Sequence, residues 1–175
     1  MTHNETTVYW STCHVNHWQI YVAKTGRGIC YVGSPNQPFE EVEAWIEKKI
    51  PNATFVESDS LLQQEISEIS AYLLGEKEDF TVSMDLIGTE FQQAVWHASV
   101  KIPYGETRTY SEIAKEINRP KALRAVGTAI GANPLLFIIP CHRIVAKNGG
   151  LAGFRAGIDV KKVLLQLESK NNGQA

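Results

Sequence analysis

The 175-residue sequence is poor in cysteine and has no long hydrophobic run. Its three cysteines, Cys13, Cys30 and Cys141, show no CxxC spacing, which argues against a disulfide framework and against a thiolate metal cluster. The longest aliphatic stretch, residues 135–139, is far shorter than the ~20 residues that a membrane-spanning helix needs. The polar start also lacks the pattern of a signal peptide. We therefore expect a cytoplasmic protein with reduced thiols.

An even distribution of charge is also missing. Up to Met84 the chain has five Lys or Arg against 12 Asp or Glu, whereas from Asp85 onward it has 12 against seven. An acidic front half and a basic back half indicate that only the back half meets a polyanion such as DNA, although chance scatter of surface charge remains the alternative. We therefore predict an N-terminal domain over residues 1–84 and a C-terminal domain over residues 85–175.

The front half has the pattern of a small sheet followed by helices. Residues 8–10, 18–23 and 28–32 are rich in β-branched and aromatic side chains, which predicts a small antiparallel meander. Helices are predicted over residues 39–49, ending before Pro51, and 59–74, with Asp59 as N-cap and Gly75 at the stop. Residues 76–86 read as a strand or a linker.

The back half predicts a pair of short helices. Thr89 caps a helix over residues 90–100, and a capping box between Thr109 and Glu112 opens a second helix that runs to Ile117. Pro120 fits the first position of a third, over residues 121–132. Two short helices with a three-to-four-residue turn are typical of a helix-turn-helix, although other helical hairpins share this pattern. The small side chains of the last helix suit either close approach to DNA or tight helix packing.

Cys141 has the surroundings that a nucleophile needs. It follows Pro140 at the end of an apolar run that reads as a buried strand, and it precedes His142. A thiol attacks only as the thiolate, and an imidazole oriented by a carboxylate, here Glu168, supplies the base. Because adjacent side chains of an extended backbone point apart, a water is expected to bridge Cys141 and His142. Cys13 and Cys30 have no such neighbours and read as inert core residues.

Several motifs then occur in a fixed order across residues 85–168. They are Gly88-Thr89-x-Phe91-Gln92-x-x-Val95-Trp96, Ile102-Pro103-x-Gly105-Glu106-Thr107-x-x-Tyr110, Arg124-Ala125-Val126-Gly127, Asn133-Pro134 and Pro140-Cys141-His142-Arg143. In type and spacing they resemble the O6-alkylguanine-DNA alkyltransferase family. The resemblance implies an α/β (α+β) fold in which a small antiparallel-sheet and helix domain precedes a mostly helical, winged-helix-like domain with a helix-turn-helix.

The resemblance also implies an activity, the direct reversal of DNA damage. The alkyl group of O6-alkylguanine, and of O4-methylthymine as a second candidate lesion, would pass irreversibly to Cys141, so that each molecule acts once. His142 and Glu168 would accept the thiol proton, and Tyr110 would protonate guanine N3. Two residues would support them: Asn133 would tie the helix-turn-helix to the active-site turn, and Lys161 would lie close to the tyrosine.

Further positions are implied for DNA and for the damaged base. Arg124 would fill the gap left by a flipped-out nucleotide, on a surface pressed into the minor groove. That surface comprises Ala122, Leu123, Arg124, Ala125 and Gly127. The base pocket would comprise Pro140, Ile144, Phe154 and Arg155, with backbone carbonyls of Cys141 and Ile144 reading the exocyclic amine. Phe154 stands where the family commonly has tyrosine and Arg155 where some members have serine, which leaves the range of alkyl groups open.

No cofactor, metal or obligate protein partner is expected, and we predict a monomer that binds duplex DNA. The sequence has no GxGxxG motif, and the damaged base is itself the alkyl donor. Cys13-His14-x-x-His17 contains zinc-binding residue types, but only three of them, on a predicted hairpin turn. Two other functions stay open at this point: a non-catalytic lesion binder, against which Cys141 argues, and a Cys-His hydrolase, which would need an oxyanion hole that no motif signals.

Overall fold

The computed structural model describes residues 5–151 and 153–171. It divides between Ile87 and Gly88 into two compact units. The first contains a four-stranded sheet with helices, and the second is mostly helical. The mixed α/β fold class expected from the sequence is therefore confirmed.

The sheet of the first unit has the strand order β3-β2-β1-β4. Its strands are β1 (Thr7–Val15), β2 (Trp18–Thr25), β3 (Gly28–Val32) and β4 (Thr54–Glu57). The first three form the predicted antiparallel meander, whereas β4 pairs in parallel with β1. The sequence did not reveal β4, because its four residues are mostly exposed and show no apolar alternation.

Cys13 and His14 belong to β1 and not to a hairpin turn, as the sequence had suggested. The turn consists of Asn16 and His17, since Val15 pairs with Trp18. Asn16 has a φ of 54°, in the left-handed region that asparagine tolerates better than most residues.

The helices of this unit are α1 (Phe39–Lys49), as predicted, and α2 (Gln63–Leu73). The second helix begins four residues later than expected, and Asp59 is not its N-cap. Asp59 instead accepts a 2.5 Å hydrogen bond from the hydroxyl of Ser11. The predicted stop is correct: Gly75 has a φ of 76°, and the amides of Gly75 and Glu76 bond to the carbonyls of Tyr72 and Ala71 in a Schellman motif.

Residues 76–86, predicted as a strand or a linker, form a single bridge, Ile29 with Met84, and no regular strand. Glu68 holds this segment, because its carboxylate accepts 2.6 Å hydrogen bonds from the amide and the hydroxyl of Thr81. Gly28 permits the approach, since a Cβ there would lie 2.4 Å from the carbonyl oxygen of Ser83.

The core of the first unit packs α1 against the sheet. Its buried residues are Val8, Ala23, Cys30, Tyr31, Val42 and Ile46. Cys13 lies five positions beyond Val8 on β1 and so faces the opposite side of the sheet. There its sulfur lies 3.2 Å from the Ser70 hydroxyl of α2.

The second unit opens with α3 (Glu90–Val100), which has the predicted bounds. Its N-cap is Thr89, in a reciprocal capping box with Gln92. Gly88 is required by packing, because a Cβ there would lie 2.6 Å from the Trp96 ring. The indole of Trp96 is buried and donates a 2.9 Å hydrogen bond to the carbonyl of Ala129, which anchors α3 to the helix Leu123–Gly131.

The helical pair consists of α4 (Tyr110–Glu116) and α5 (Leu123–Gly131). The capping box of Thr109 and Glu112 is present as predicted. However, α5 begins at Leu123, and Pro120 belongs to the preceding turn. That turn covers residues 117–122 and is longer than expected, because Asn118 adopts a φ of 60° and ends α4 early.

Residues 135–139 form a turn and not the strand that their apolar character suggested. Phe137 has a φ of 72°, and all five residues are buried. An apolar run alone cannot distinguish a buried strand from another buried segment. A short 3-10 helix (Cys141–Arg143), β6 (Ile144–Val145) and α6 (Ile158–Asn171) follow, and β6 pairs in parallel with β5 (Arg108–Thr109). None of the described helices has the length and apolar character to cross a membrane.

Candidate active site

Cys141 lies at the start of the 3-10 helix and is completely buried. Burial raises the pKa of its thiol to about 12, although hydrogen bonds with the Ser99 and Asn133 side chains and the positive charges of Lys161 and Arg155 act in the opposite direction. The resting sulfur is therefore a protonated thiol. Chemistry at this sulfur requires a base that removes its proton.

His142 and Glu168 form a buried pair beside it. The Nε2 atom of His142 lies 2.6 Å from Oε2 of Glu168, and neither side chain is exposed by more than 1%. Burial lowers the pKa of His142, and the adjacent carboxylate only partly opposes this effect. The imidazole is therefore neutral near neutral pH and able to accept a proton.

Glu168 is held by more than the histidine. Its two oxygens accept hydrogen bonds of 2.8 Å and 3.0 Å from the Arg143 guanidinium and one of 3.0 Å from the amide of Gly105. Arg143 also donates to the carbonyl of Ile102 at 2.6 Å and lies over the ring of Tyr104. The carboxylate thus has a fixed position and a buried counterion, which orients His142 in turn.

Asn133 connects α5 to the turn that precedes the cysteine. Its side-chain amide donates to the carbonyl of Ile139 at 2.9 Å, and its side-chain oxygen accepts from the amide of Leu135 at 2.9 Å. Both partners lie in the buried turn 135–139. The Asn133 side chain therefore holds this turn close to the end of α5.

Tyr110 and Lys161 lie near enough to the sulfur to interact with it electrostatically. The pairing of β5 with β6 brings Tyr110, the first residue of α4, near the 3-10 helix. Burial, followed by the charge of Cys141, raises the pKa of Tyr110, so its phenol stays protonated. Lys161 is buried and donates a 2.6 Å hydrogen bond to the carbonyl of Ile144, and burial lowers its pKa to about 8.

An open cleft of about 850 Å³ leads into this region. One wall comes from α4 and α5 and the other from the segment after β6. The lining residues are Tyr110, Ser111, Leu123, Arg124, Gly127, Gly131, Ala146, Lys147, Gly153, Phe154 and Arg155. The cleft thus brings together the predicted proton donor, the predicted intercalating arginine and two of the predicted pocket residues.

Two family models match most of the chain. Residues 8–86 match the ribonuclease-like domain of 6-O-methylguanine DNA methyltransferase, and residues 90–170 match the DNA-binding domain of the same family. The chain is 47% identical to the inducible methylated-DNA--protein-cysteine methyltransferase of Bacillus subtilis, over 99% of this chain and 97% of that protein. This chain belongs to the 6-O-methylguanine DNA methyltransferase family.

Solved structures of the family agree with this assignment. The O6-methylguanine methyltransferase of Mycobacterium tuberculosis superposes with a TM-score of 0.81 at 35% identity, over 96% of both chains. A structure of the enzyme from the same organism in complex with DNA superposes with a TM-score of 0.77 at 34% identity, over 94% of both chains. The family resemblance drawn from the sequence motifs is therefore confirmed.

The helix predicted to meet DNA exposes part of the expected surface. From Gly88 onward the chain has 12 Lys or Arg against six Asp or Glu. In α5, Leu123, Arg124 and Ala125 are exposed, whereas Val126 packs inward and Ala122 is half-buried. A Cβ at Gly127 would meet only the Tyr110 ring, at 4.0 Å, so packing does not require glycine there.

The predicted pocket residues lie on both sides of the 3-10 helix. Pro140 and Ile144 flank it and are buried, and Phe154 packs edge-on to His142 with ring centroids 6.4 Å apart. The carbonyl oxygen of Cys141 accepts a hydrogen bond from the backbone amide of Ile144, and the carbonyl oxygen of Ile144 accepts one from the Lys161 side chain. Each of these carbonyls keeps a second lone pair for a ligand.

Sequence reasoning missed two side chains of this site, Arg143 and Ser99. Arg143 could have been found, because a buried carboxylate such as Glu168 needs a counterion and an arginine directly follows the histidine. Ser99 carries no such signal, since it lies in the middle of α3. The backbone at Cys141 and His142 is also helical and not extended, so the expected divergence of their side chains does not apply.

The side chains of the Cys13-His14-x-x-His17 pattern do not come together to form a metal site. Cys13 is buried with its pKa raised by burial, whereas His14 is exposed. Across residues 5–151 and 153–171 no group of three or more His, Cys, Asp or Glu could hold a metal ion. Cys30 is likewise buried, and burial, followed by the charge of Asp85, raises its pKa to about 12.

Proposed function

We propose that this chain repairs DNA by transferring an alkyl group from O6 of guanine to Cys141, where the group stays. One observation carries the proposal: a buried cysteine adjoins a His142–Glu168 pair beside a cleft lined by Tyr110 and Arg124. The names of the relatives support it, since they describe methylated-DNA--protein-cysteine methyltransferases. O4-methylthymine is a second candidate substrate.

The geometry suits a single displacement at carbon. Because Nε2 of His142 is hydrogen-bonded to Glu168, Nδ1 is the atom that accepts the thiol proton, directly or through one water. The sulfur then bonds to the alkyl carbon as the bond from that carbon to O6 breaks, and the electron pair passes to the base. Tyr110 donates a proton at N3, so that neutral guanine leaves. Overall guanine gains a proton in place of the alkyl group, and sulfur gains the alkyl group in place of its proton. The balance closes when the His142 imidazolium releases its proton to solvent and the Tyr110 phenolate takes one up.

Two further residues position this machinery. Asn133 holds the turn before Cys141 and hydrogen-bonds to the sulfur. Lys161 fixes the carbonyl of Ile144 and places a positive charge near the sulfur, which favours the thiolate. Both therefore lower the free energy of the reactive form without contacting the alkyl group.

The partner is duplex DNA, bound through the minor groove by the basic unit. O6 of a stacked guanine cannot present its alkyl carbon to a buried sulfur, so the nucleotide must flip out. Arg124 enters the stack, while Ala122, Leu123, Ala125 and Gly127 let the backbone approach the groove. We assign these roles and the alkyl acceptor to residues 85–175, and a structural role to residues 1–84, in a monomeric cytoplasmic protein that needs no cofactor.

The first expected result concerns stoichiometry. A thioether is a poor leaving group and resists hydrolysis, so transferred label should reach a plateau at no more than one alkyl group per chain. The measurement uses duplex DNA with radiolabelled O6-methylguanine, followed by peptide mapping of the label. Label that stays on DNA in a stable complex would favour a lesion binder. Continued turnover would favour the hydrolase.

A second expected result separates DNA handling from chemistry. Without Arg124 the flipped state must bear a few kcal/mol of unstacking unaided. Arg124→Ala should therefore slow repair of duplex DNA far more than reaction with free O6-benzylguanine, which needs no flipping. Tyr110→Phe is the matched comparison and should slow both substrates by ~100-fold, since it removes the general acid. Single-turnover rates decide, and equal slowing of both substrates by Arg124→Ala would contradict the intercalation role.

A further inference from the structure

Ser99 places a hydroxyl in the interior of the second unit. It lies in α3 and is completely buried, whereas the other buried residues of this helix, Val95, Trp96 and Ala98, are largely apolar. A buried hydroxyl lowers stability unless it is hydrogen-bonded, and serine is a poorer helix former than alanine. Alanine would therefore serve helix formation better at this position, which indicates that the hydroxyl has another use.

The Ser99 hydroxyl has two partners. It donates a 2.8 Å hydrogen bond to the carbonyl of Val95, and it also hydrogen-bonds to the Cys141 side chain. The second contact is possible because α3 packs against the 3-10 helix, which begins at Cys141. Since Ser99 and Cys141 are both completely buried, bulk solvent does not weaken this contact.

In the resting protein the thiol donates and the hydroxyl oxygen accepts. The thiol carries its proton, and a serine oxygen has two lone pairs with which to accept it. The hydroxyl hydrogen is directed at the Val95 carbonyl. That carbonyl also has a second donor, because in an α-helix the amide of Ser99 bonds to the carbonyl four residues earlier. The hydroxyl can therefore turn away without leaving a buried carbonyl unsatisfied.

We propose that Ser99 is a further catalytic residue, whose hydroxyl rotates and donates to the sulfur of Cys141 once His142 has accepted the thiol proton. The rotation is about the Cβ–Oγ bond and moves no heavy atom, so the donor is in place before the reaction begins. The inference rests on the proposed function and deepens it, because it names a group that stabilises the attacking sulfur.

Ser99 differs from the other groups near this sulfur. The Asn133 amide also hydrogen-bonds to the sulfur, but it donates to the carbonyl of Ile139 at 2.9 Å and holds the turn before the cysteine. Ser99 is a neutral donor, so its substitution tests a hydrogen bond without changing the charge of the site. The charged or titratable side chains around the 3-10 helix are His142 and Arg143 on that helix, Lys161 and Glu168 on α6, Tyr110 on α4, and Arg155 after β6.

The variants Ser99→Thr and Ser99→Val form a matched pair. Both side chains have the same branched shape, but only threonine has the hydroxyl. Transfer from free O6-benzylguanine is measured under single-turnover conditions, since this substrate needs no flipping. Ser99→Val should be slower than Ser99→Thr by about tenfold or more, the effect of one hydrogen bond to a charged group. Ser99→Ala should show a similar loss relative to the wild type.

The pH profile separates this role from a structural one. Loss of the hydroxyl should raise the pKa of Cys141 further, because the contact with Ser99 opposes the effect of burial. A smaller fraction of the sulfur is then ionised at any given pH, so the alkaline rise of the rate should move to higher pH by about one pH unit, which corresponds to the tenfold loss. Lys161, with a pKa of about 8, titrates in the same range, but it does so in every variant.

The control is Ser70→Ala. Ser70 also contacts a cysteine from a helix, since its hydroxyl lies 3.2 Å from the sulfur of Cys13, and its loss should leave the rate and the pH profile unchanged. Equal rates for folded Ser99→Thr and Ser99→Val would overturn the inference, as would a wild-type pH profile for Ser99→Ala. If the two branched variants do not fold, Ser99→Ala still decides through its pH profile. Absence of transfer by the wild-type protein from the free base and from labelled duplex would overturn the proposed function, and the inference with it.

Discussion

Cys141→Ser should abolish alkyl transfer, with label on the protein falling to background. A serine hydroxyl in this buried position is far less acidic than a thiol, and His142 cannot convert it to a strong nucleophile. The side chain is nearly the same size, so the fold and DNA binding should persist. The measurement is transfer of radiolabel from duplex O6-methylguanine to protein, together with a DNA-binding assay of the same variant.

The other two cysteines supply matched controls. Cys13 lies 3.2 Å from the Ser70 hydroxyl and Cys30 lies 3.6 Å from the carbonyl of Ala23, so serine can keep a hydrogen bond at either position. Cys13→Ser and Cys30→Ser should therefore still accept one alkyl group per folded chain. Loss of transfer in either control, or persistent transfer in Cys141→Ser, would contradict the assignment of Cys141 as the acceptor.

Glu168→Gln should both inactivate and destabilise the protein. The variant leaves the Arg143 guanidinium, only 6% exposed, without its counterion, and His142 without the carboxylate that orients it. Removal of one partner of a buried ion pair typically lowers the free energy of unfolding by about 3–5 kcal/mol. Urea unfolding gives this value, and single-turnover transfer under conditions where the variant remains folded gives the loss of rate.

A surface pair in the same unit is the control. Glu116 lies 3.5 Å from Lys101, and both side chains are well exposed. Glu116→Gln should therefore change the free energy of unfolding by less than about 1 kcal/mol. The double variant Arg143→Met and Glu168→Gln should recover part of the lost stability, because the unpaired buried cation is gone. A loss for Glu168→Gln no larger than for Glu116→Gln would show that the buried network does not support the fold.

Local signals in the sequence were sufficient for several helices. The bounds of α1 and α3 agree with the sequence prediction, because Pro51, Thr89 and Pro103 mark ends by chemistry that acts within a few residues. The capping box before α4 belongs to the same class. Such features depend on near neighbours in the chain and hardly on the remainder of the fold.

The sequence predictions were wrong where a residue outside a segment competes for that segment's polar groups. Asp59 satisfies the rules for an N-cap, but Ser11 of β1 engages its carboxylate, and α2 starts later. Residues 135–139 have the composition of a buried strand, yet Asn133 bonds to both ends of the run and holds it as a turn. In both cases a contact with a side chain outside the segment overrides the local preference.

The residues of the site likewise fall into those that the sequence indicates and those whose role only the structure shows. Sequence motifs alone indicated Cys141, His142 and Glu168 as candidate site residues and were enough to indicate the family, because a nucleophile and its base must have particular chemical identities. Only the folded structure shows that Arg143 is the counterion of Glu168 and that the Arg155 guanidinium donates a hydrogen bond to the carbonyl of Asn133. Those roles depend on distances between residues far apart in the chain. The identity of a side chain does not indicate such distances.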